Sequence, residues 1–224
     1  MLTQNNKILM VVTNGQEMSN GHFAGIWLSE FAEPYEELRA NGFEITVVSP
    51  KGGESRIDNN SLEDGNIPAG WKEIADLLRN TESIDTVNAD DFAAIFLPGG
   101  HGTMFDFPEN SKLHSLLRNF AEEGKSIGAV CHGPAGFVGA SFSDGTPIVQ
   151  DKTITAFTDS EEKGVGLDHE VPFLLESKLR ELGASFVPAE DWTDNTQTDG
   201  KLVTGQNPQS SISVARELVK TLKE

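Results

Sequence analysis

The 224-residue chain carries 35 acidic and 17 basic side chains, for a net charge of −18, with 37% hydrophobic and 23% charged residues. That length and balance suit one soluble domain with a sizeable core, and so negative a surface repels nucleic acid and anionic membranes, which excludes both as partners. One cysteine rules out an internal disulfide and a Cys-x-x-Cys pair; no run is long enough to span a membrane, and the apolar run at Ile8–Val12 is too short for a signal sequence, so the expected compartment is the cytoplasm.

Strand and helix signals alternate along the chain. Residues 7–12 (KILMVV) read as a buried strand. Apolar residues at helical spacing (Ile26, Phe31, Tyr35, Leu38) predict a helix over 23–41, stopped by Asn41-Gly42. Strands are predicted at 43–48 and 93–97, the second running into Pro98-Gly99-Gly100. A helix over 110–123 stops at Gly124, and a strand over 126–130 leads directly into Cys131. Further on come a strand at 153–157, a helix at 171–182, short strands at 185–187 and 201–204, and a last helix from Asn207-Pro208 to Lys223. Residues 52–70 and 188–200 read as loops; with the helical patch at 71–80, the 52–91 stretch is a candidate lid. The pattern predicts a flavodoxin-like three-layer α/β sandwich, 1–224 forming one domain with a mainly parallel sheet and helices on both faces.

In such a sheet ligands bind beyond the carboxyl ends of the strands, and three motifs fall there. In Ala129-Val130-Cys131-His132-Gly133-Pro134 a strand ends on a cysteine where a helix is expected to begin. A sharp strand-to-helix turn lifts a nucleophile out of the sheet, and free N–H groups at a helix start favour thiolate over thiol. A buried structural cysteine is the bland competitor; Cys-His-Gly-Pro at a strand end favours a functional thiol. In Leu97-Pro98-Gly99-Gly100-His101-Gly102 the glycines let backbone N–H groups approach a ligand, so that Gly99 and Gly100, with the His132 N–H, would form an oxyanion site. Alone, this run would read as a tight turn. The third set is acidic: Glu30 in the first helix, and Asp159-Ser160-Glu161-Glu162 after the strand at 153–157, where a carboxylate would orient His132. Solvated surface is the ordinary reading of both. His22, His114 and His169 show no metal-ligand spacing, so no metal or other cofactor is expected.

The chain resembles the ThiJ/PfpI superfamily, of class I glutamine amidotransferase-like fold, and within it the glyoxalase III-like branch that also contains heat-shock chaperone-like members. The resemblance covers nearly the whole chain. Its marks are Gly25-Ile26-Trp27-Leu28-Ser29-Glu30 with Pro34, Ser49-Pro50-Lys51-Gly52-Gly53, the Gly99 and Cys131 motifs with Asp106, Phe157-Thr158-Asp159-Ser160-Glu161-Glu162, Pro172-Phe173-Leu174-Leu175-Glu176 and Thr204-Gly205-Gln206-Asn207-Pro208. It implies Cys131 as the reactive cysteine, His132 as the adjacent catalytic histidine, Glu30 as the cysteine's hydrogen-bond partner, and Glu162, with Glu161 second, as the third triad member. Gly99, Gly100 and His101 would line the substrate site. Ala24 stands where many relatives have a hydroxyl residue, an expected change at the pocket mouth.

The implied activity is a glutathione-independent glyoxalase of the D-lactate dehydratase type: a lyase converting methylglyoxal or related 2-oxoaldehydes to 2-hydroxy acids through a cysteine hemithioacetal. Two rivals use the same residues or none of them. One is a cysteine-dependent amidase, peptidase or protein deglycase. The other is a stress-response holdase chaperone or oxidation sensor, since a lone thiol has no resolving partner. A small aldehyde or amide is the expected ligand, and a homodimer the expected assembly.

Overall fold

The computed structural model describes residues 5–223. Its strands are β1 (Lys7–Val11), β2 (Gln16–Glu17), β3 (Phe23–Ala24), β4 (Glu44–Ser49), β5 (Glu82–Ser83), β6 (Ala94–Leu97), β7 (Ser126–Val130), β8 (Thr153–Ile154), β9 (Ser185–Phe186), β10 (Thr196–Asp199) and β11 (Leu202–Gly205). The α-helices are α1 (Leu28–Ala40), α2 (Lys72–Asp76), α3 (Thr103–Asp106), α4 (Ser111–Glu122), α5 (Asp159–Val165), α6 (Leu175–Glu181) and α7 (Ser211–Lys223).

The main sheet runs β10-β11-β7-β6-β1-β4-β5, and every pairing is parallel except β10 against β11. Strand period, with both faces covered, explains why β1 is apolar from Ile8 onward. Ile8, Met10 and Val12 face one core with Phe31 and Leu38 of α1 and Val214 and Leu218 of α7. Leu9 and Val11 face the other, with Leu113, Leu117 and Phe120 of α4. Helices cover both faces, so the predicted α/β three-layer architecture holds.

The element boundaries differ in instructive ways. The first helix starts at Leu28 rather than near residue 23, because the backbone of 23–26 bonds elsewhere. Phe23–Ala24 pairs with Gln16–Glu17, and Ile26 N donates to Arg56 O at 3.0 Å while Asp58 N donates to Ile26 O at 2.9 Å. The same bonds tie the 52–91 segment to the edge of α1. None of its residues lines the cavity above Cys131. The strand predicted at 153–157 shortens to β8, the helix predicted at 171–182 to α6, and the loop predicted at 188–200 contains β10. After Cys131 the chain makes a five-residue 3-10 turn, Gly133–Phe137, instead of an α-helix.

Candidate active site

The site sits where β6 and β7 end side by side, as the register Leu97↔Ala129 requires. Cys131 is the first residue past β7. Its N–H donates to Gly205 O, and its φ of +58° places a non-glycine residue in the left-handed region. That conformation costs roughly 1–2 kcal/mol and turns the side chain out of the strand direction, as a nucleophile elbow does. Thr103 Oγ1 lies 2.9 Å from both Gly100 O and His132 O, so one hydroxyl ties the β6 and β7 loops together. Asp106, in the same turn, accepts from Thr13 Oγ1 and Asn14 N at 2.8 Å and fastens the loop after β1; burial raises its carboxyl to about 6.

Cys131, His132 and Glu162 form a connected row. Cys131 Sγ lies 3.4 Å from His132 Nδ1, and His132 Nε2 lies 2.6 Å from Glu162 Oε2. His101 Nε2 reaches the other carboxylate oxygen, Oε1, also at 2.6 Å. An ionised carboxylate only accepts, so each Nε2 carries the proton and His132 Nδ1 is left as an acceptor facing the sulfur. Burial would raise the Glu162 carboxyl, but the two histidines outweigh it and hold it well below the usual carboxylate range. Burial, reinforced by His101, pushes His132 down, which keeps its imidazole neutral against the pull of Glu162.

Glu162 reaches this position from α5. Thr158 caps that helix in a capping box with Glu161, whose Oε2 accepts from the Thr158 N–H and hydroxyl at 3.0 and 3.1 Å. The box turns Glu161 back onto its own cap, and the next side chain, Glu162, faces the histidines. The structure thus separates the two glutamates that the sequence left open.

Glu30 lies in the first turn of α1, fully buried, beside the thiol. Neither carboxyl oxygen makes a well-formed hydrogen bond; the Cys131 thiol and the Gly99 N–H face it with imperfect geometry. Burial pushes Glu30 up to about 8, so the carboxyl is protonated at neutral pH. Burial, then the Glu30 carboxylate, pushes the Cys131 thiol up. This reverses the expected thiolate preference: the 3-10 turn offers too short a dipole to offset desolvation beside a carboxyl group. Cys131 and Glu30 therefore share protons as a pair.

The two glycines also part company. Gly100, at φ +107°, lines the cavity; a Cβ there would collide with Gly25 O and Trp27 N. Among the described residues neither the Gly100 nor the His132 N–H donates to a protein acceptor. Gly99 lies behind, its N–H toward Glu30, which corrects its expected place as an oxyanion donor. A Cβ on Gly99 would collide with Glu30 Oε2 and Val130 O. Gly99→Ala is accordingly expected to lower stability by roughly 1–3 kcal/mol and to displace Glu30; urea unfolding, with thiol reactivity alongside, measures both.

A family model described as the DJ-1/PfpI family matches residues 22–221. The chain belongs to the DJ-1/PfpI family. It is 33% identical to the glutathione-independent glyoxalase HSP31 of Saccharomyces cerevisiae, over 97% of this chain and 98% of that protein. Among solved structures, the glyoxalase III of Candida albicans superposes with a TM-score of 0.88 at 30% identity, covering 97% of this chain and 98% of that one. The rapid encystment protein of Francisella tularensis superposes at 0.92 with 36% identity, over 97% and 99%.

In this DJ-1/PfpI chain Trp27, Gly100, Phe157, Val165, Trp192 and Pro208 wall a cavity of about 40 Å³ above Cys131. Phe157 packs at a tilt against the His132 ring, with ring centres 4.3 Å apart. Ala24, fully buried, lies outside this wall. Trp192 and Val165 were not legible as site residues; the one available signal was a tryptophan alone in a polar loop. His101, His132 and Glu162 bring three ligand-type atoms within 4.8 Å, a set that chain spacing did not reveal because each comes from a different element. Their 2.6 Å hydrogen bonds already satisfy those atoms, so the arrangement is better suited to orienting imidazoles than to holding an ion.

Glu30 also makes a measurable stability prediction. Its folded-state value of about 8 lies above the ordinary glutamate value of 4.5. The stability linked to its proton is fully present below 4.5 and is lost as pH rises through 8. Glu30→Gln removes that loss. The variant should gain on wild type by about 3–5 kcal/mol between pH 5 and pH 8.5, read from urea midpoints across that range.

Proposed function

We propose that the protein is a glutathione-independent glyoxalase that converts small 2-oxoaldehydes to 2-hydroxy acids, with Cys131 as nucleophile. The single observation carrying this reading is the Cys131–His132–Glu162 row, with a protonated Glu30 beside the sulfur. The full-length similarity to named glyoxalases supports it.

In this reading the thiol proton passes to His132 Nδ1, and Glu162 stabilises the imidazolium that results. The sulfur adds to the aldehyde carbon. The carbonyl oxygen, held by the Gly100 and His132 N–H groups, takes a proton from Glu30. Glu30, now a carboxylate, removes the hydrogen on that carbon and returns a proton to the neighbouring one. Proton exchange with the imidazolium balances the two oxygens. The product is a 2-hydroxyacyl thioester, which water cleaves to the hydroxy acid and the free thiol. Overall the aldehyde gains one water and no electrons, so no redox partner is required.

The amidase, peptidase or deglycase reading shares the nucleophile. The cavity of about 40 Å³ seats a group the size of roughly three or four waters beside the thiol. Among the described residues no helix is long and apolar enough to cross a membrane. One domain over 1–224, a homodimer and a cytoplasmic setting complete the proposal, and equilibrium sedimentation tests the dimer. The deciding assay is lactate formation from methylglyoxal by purified protein without glutathione. Lactate supports the reading; methylglyoxal left unconsumed overturns it.

A further inference from the structure

The loop over 188–200 is mostly exposed and polar, yet Trp192 within it adopts a φ of +61°, which bulky side chains avoid. A residue is held in that region only when its surroundings over-determine it, and such residues gather at functional sites. The restraint here is Glu161. Its buried carboxylate accepts from Trp192 N at 2.9 Å, Asn207 Nδ2 at 2.8 Å and Gln206 Nε2 at 3.2 Å, besides the two Thr158 groups. Asn207 Nδ2 also donates to Thr193 O, and Gln206 Oε1 accepts from Ala189 N, so the loop is tied on both sides of the tryptophan. Trp192 is 42% exposed and joins no core. It meets Phe157 edge-on at 5.6 Å, and Phe157 lies against His132.

We propose that Trp192 is the roof that sets substrate size, and that Glu161 is the positioning residue that holds it over Cys131. The proposal rests on the aldehyde reading above and names its substrate class: short, uncharged 2-oxoaldehydes with at most a small apolar substituent. Size follows from the cavity, whose volume suits a skeleton of two or three carbons and not an aromatic ring. Charge follows from its walls, which include no lysine or arginine and which close over Glu30, with Glu162 behind the histidines. A phosphorylated or carboxylated aldehyde would find no counter-charge. Adjacent residues of α5 divide the work: Glu162 orients the base and Glu161 orients the roof.

The test compares kcat/KM for methylglyoxal and phenylglyoxal in wild type, Trp192→Ala, Trp192→Phe and Glu161→Gln. Trp192→Ala is expected to shift selectivity about tenfold or more toward phenylglyoxal, chiefly through KM. Trp192→Phe should restore most of the selectivity. Glu161→Gln should shift it in the same direction as Trp192→Ala; the selectivity ratio is the readout here, because the Glu161 charge also raises His132 and Cys131 and its loss moves the pH profile. A second readout does not depend on turnover: Cys131 alkylation by iodoacetamide and by a bulky N-aryl maleimide, each in wild type and Trp192→Ala. The maleimide rate should rise about tenfold relative to the iodoacetamide rate. An unchanged ratio in both assays overturns the roof, even if wild type makes lactate. A shifted alkylation ratio in a protein that consumes no oxoaldehyde upholds the roof as a steric gate and overturns only the aldehyde reading.

Discussion

Cys131→Ala is expected to abolish lactate formation from methylglyoxal, a fall of about 10³-fold or more in kcat, while leaving the fold intact. The size follows from chemistry. Without sulfur no hemithioacetal forms, and the remaining donors have no covalent adduct to act upon. Cys131→Ser should fall almost as far, because His132 is a weak base against an alcohol in a site already hostile to anions. Stability should change by only about 1 kcal/mol in the alanine variant, since little volume is removed and the backbone strain at φ +58° stays the same. Lactate yield with the thermal midpoint on the same samples is the check. A folded alanine variant turning over at the wild-type rate would remove Cys131 from the mechanism.

Glu162→Gln is the second large effect. The carboxylate accepts from two imidazoles at once, at 2.6 Å each. An amide offers one acceptor and one donor, so one histidine must change tautomer or lose its bond. If His132 is the one, its Nδ1 carries the hydrogen, and the sulfur faces a donor where it needs an acceptor. The expected loss is roughly 10²–10⁴-fold in kcat with a smaller change in KM. Stability should respond as well, with a defined sign. The folded-state value of Glu162 is depressed below the ordinary glutamate value of 4.5, so its stabilisation is present above that pH and fades as pH falls through the folded value. Urea midpoints should separate wild type from Glu162→Gln at pH 7 and converge under strong acid. Equal kcat in the two proteins would show that Glu162 does not orient the base.

The legible parts of this molecule were those whose signal is local. β1, β6 and β7 are buried on both faces over nearly their whole length, so each contains an apolar run too continuous for a half-exposed strand. Cys131 was legible because a strand ends on it. Polar short elements were not. α5 has seven residues and no apolar stripe, and its one sequence mark is the capping spacing Thr158-x-x-Glu161. β10 reads Thr-Gln-Thr-Asp at an antiparallel edge, where solvent removes the need for apolar side chains. The first helix was overextended because Ile26 fits helical spacing, although its backbone is engaged by Arg56 and Asp58, thirty residues on.

The sequence by itself determined the layered α/β fold, the position of the thiol at a strand end and the set of acidic candidates, because apolar period and glycine placement act over a few residues. Only the tertiary structure decided which glutamate meets His132, that His101 shares the same carboxylate, and that Trp192 roofs the cavity. It also decided that Glu30 is neutral and the thiol pushed up, against the expectation from the turn alone. The reason is physical. Protonation is set by how much water the surrounding chain removes, and partnership by which loops the sheet brings together. Both are sums over residues far apart in sequence.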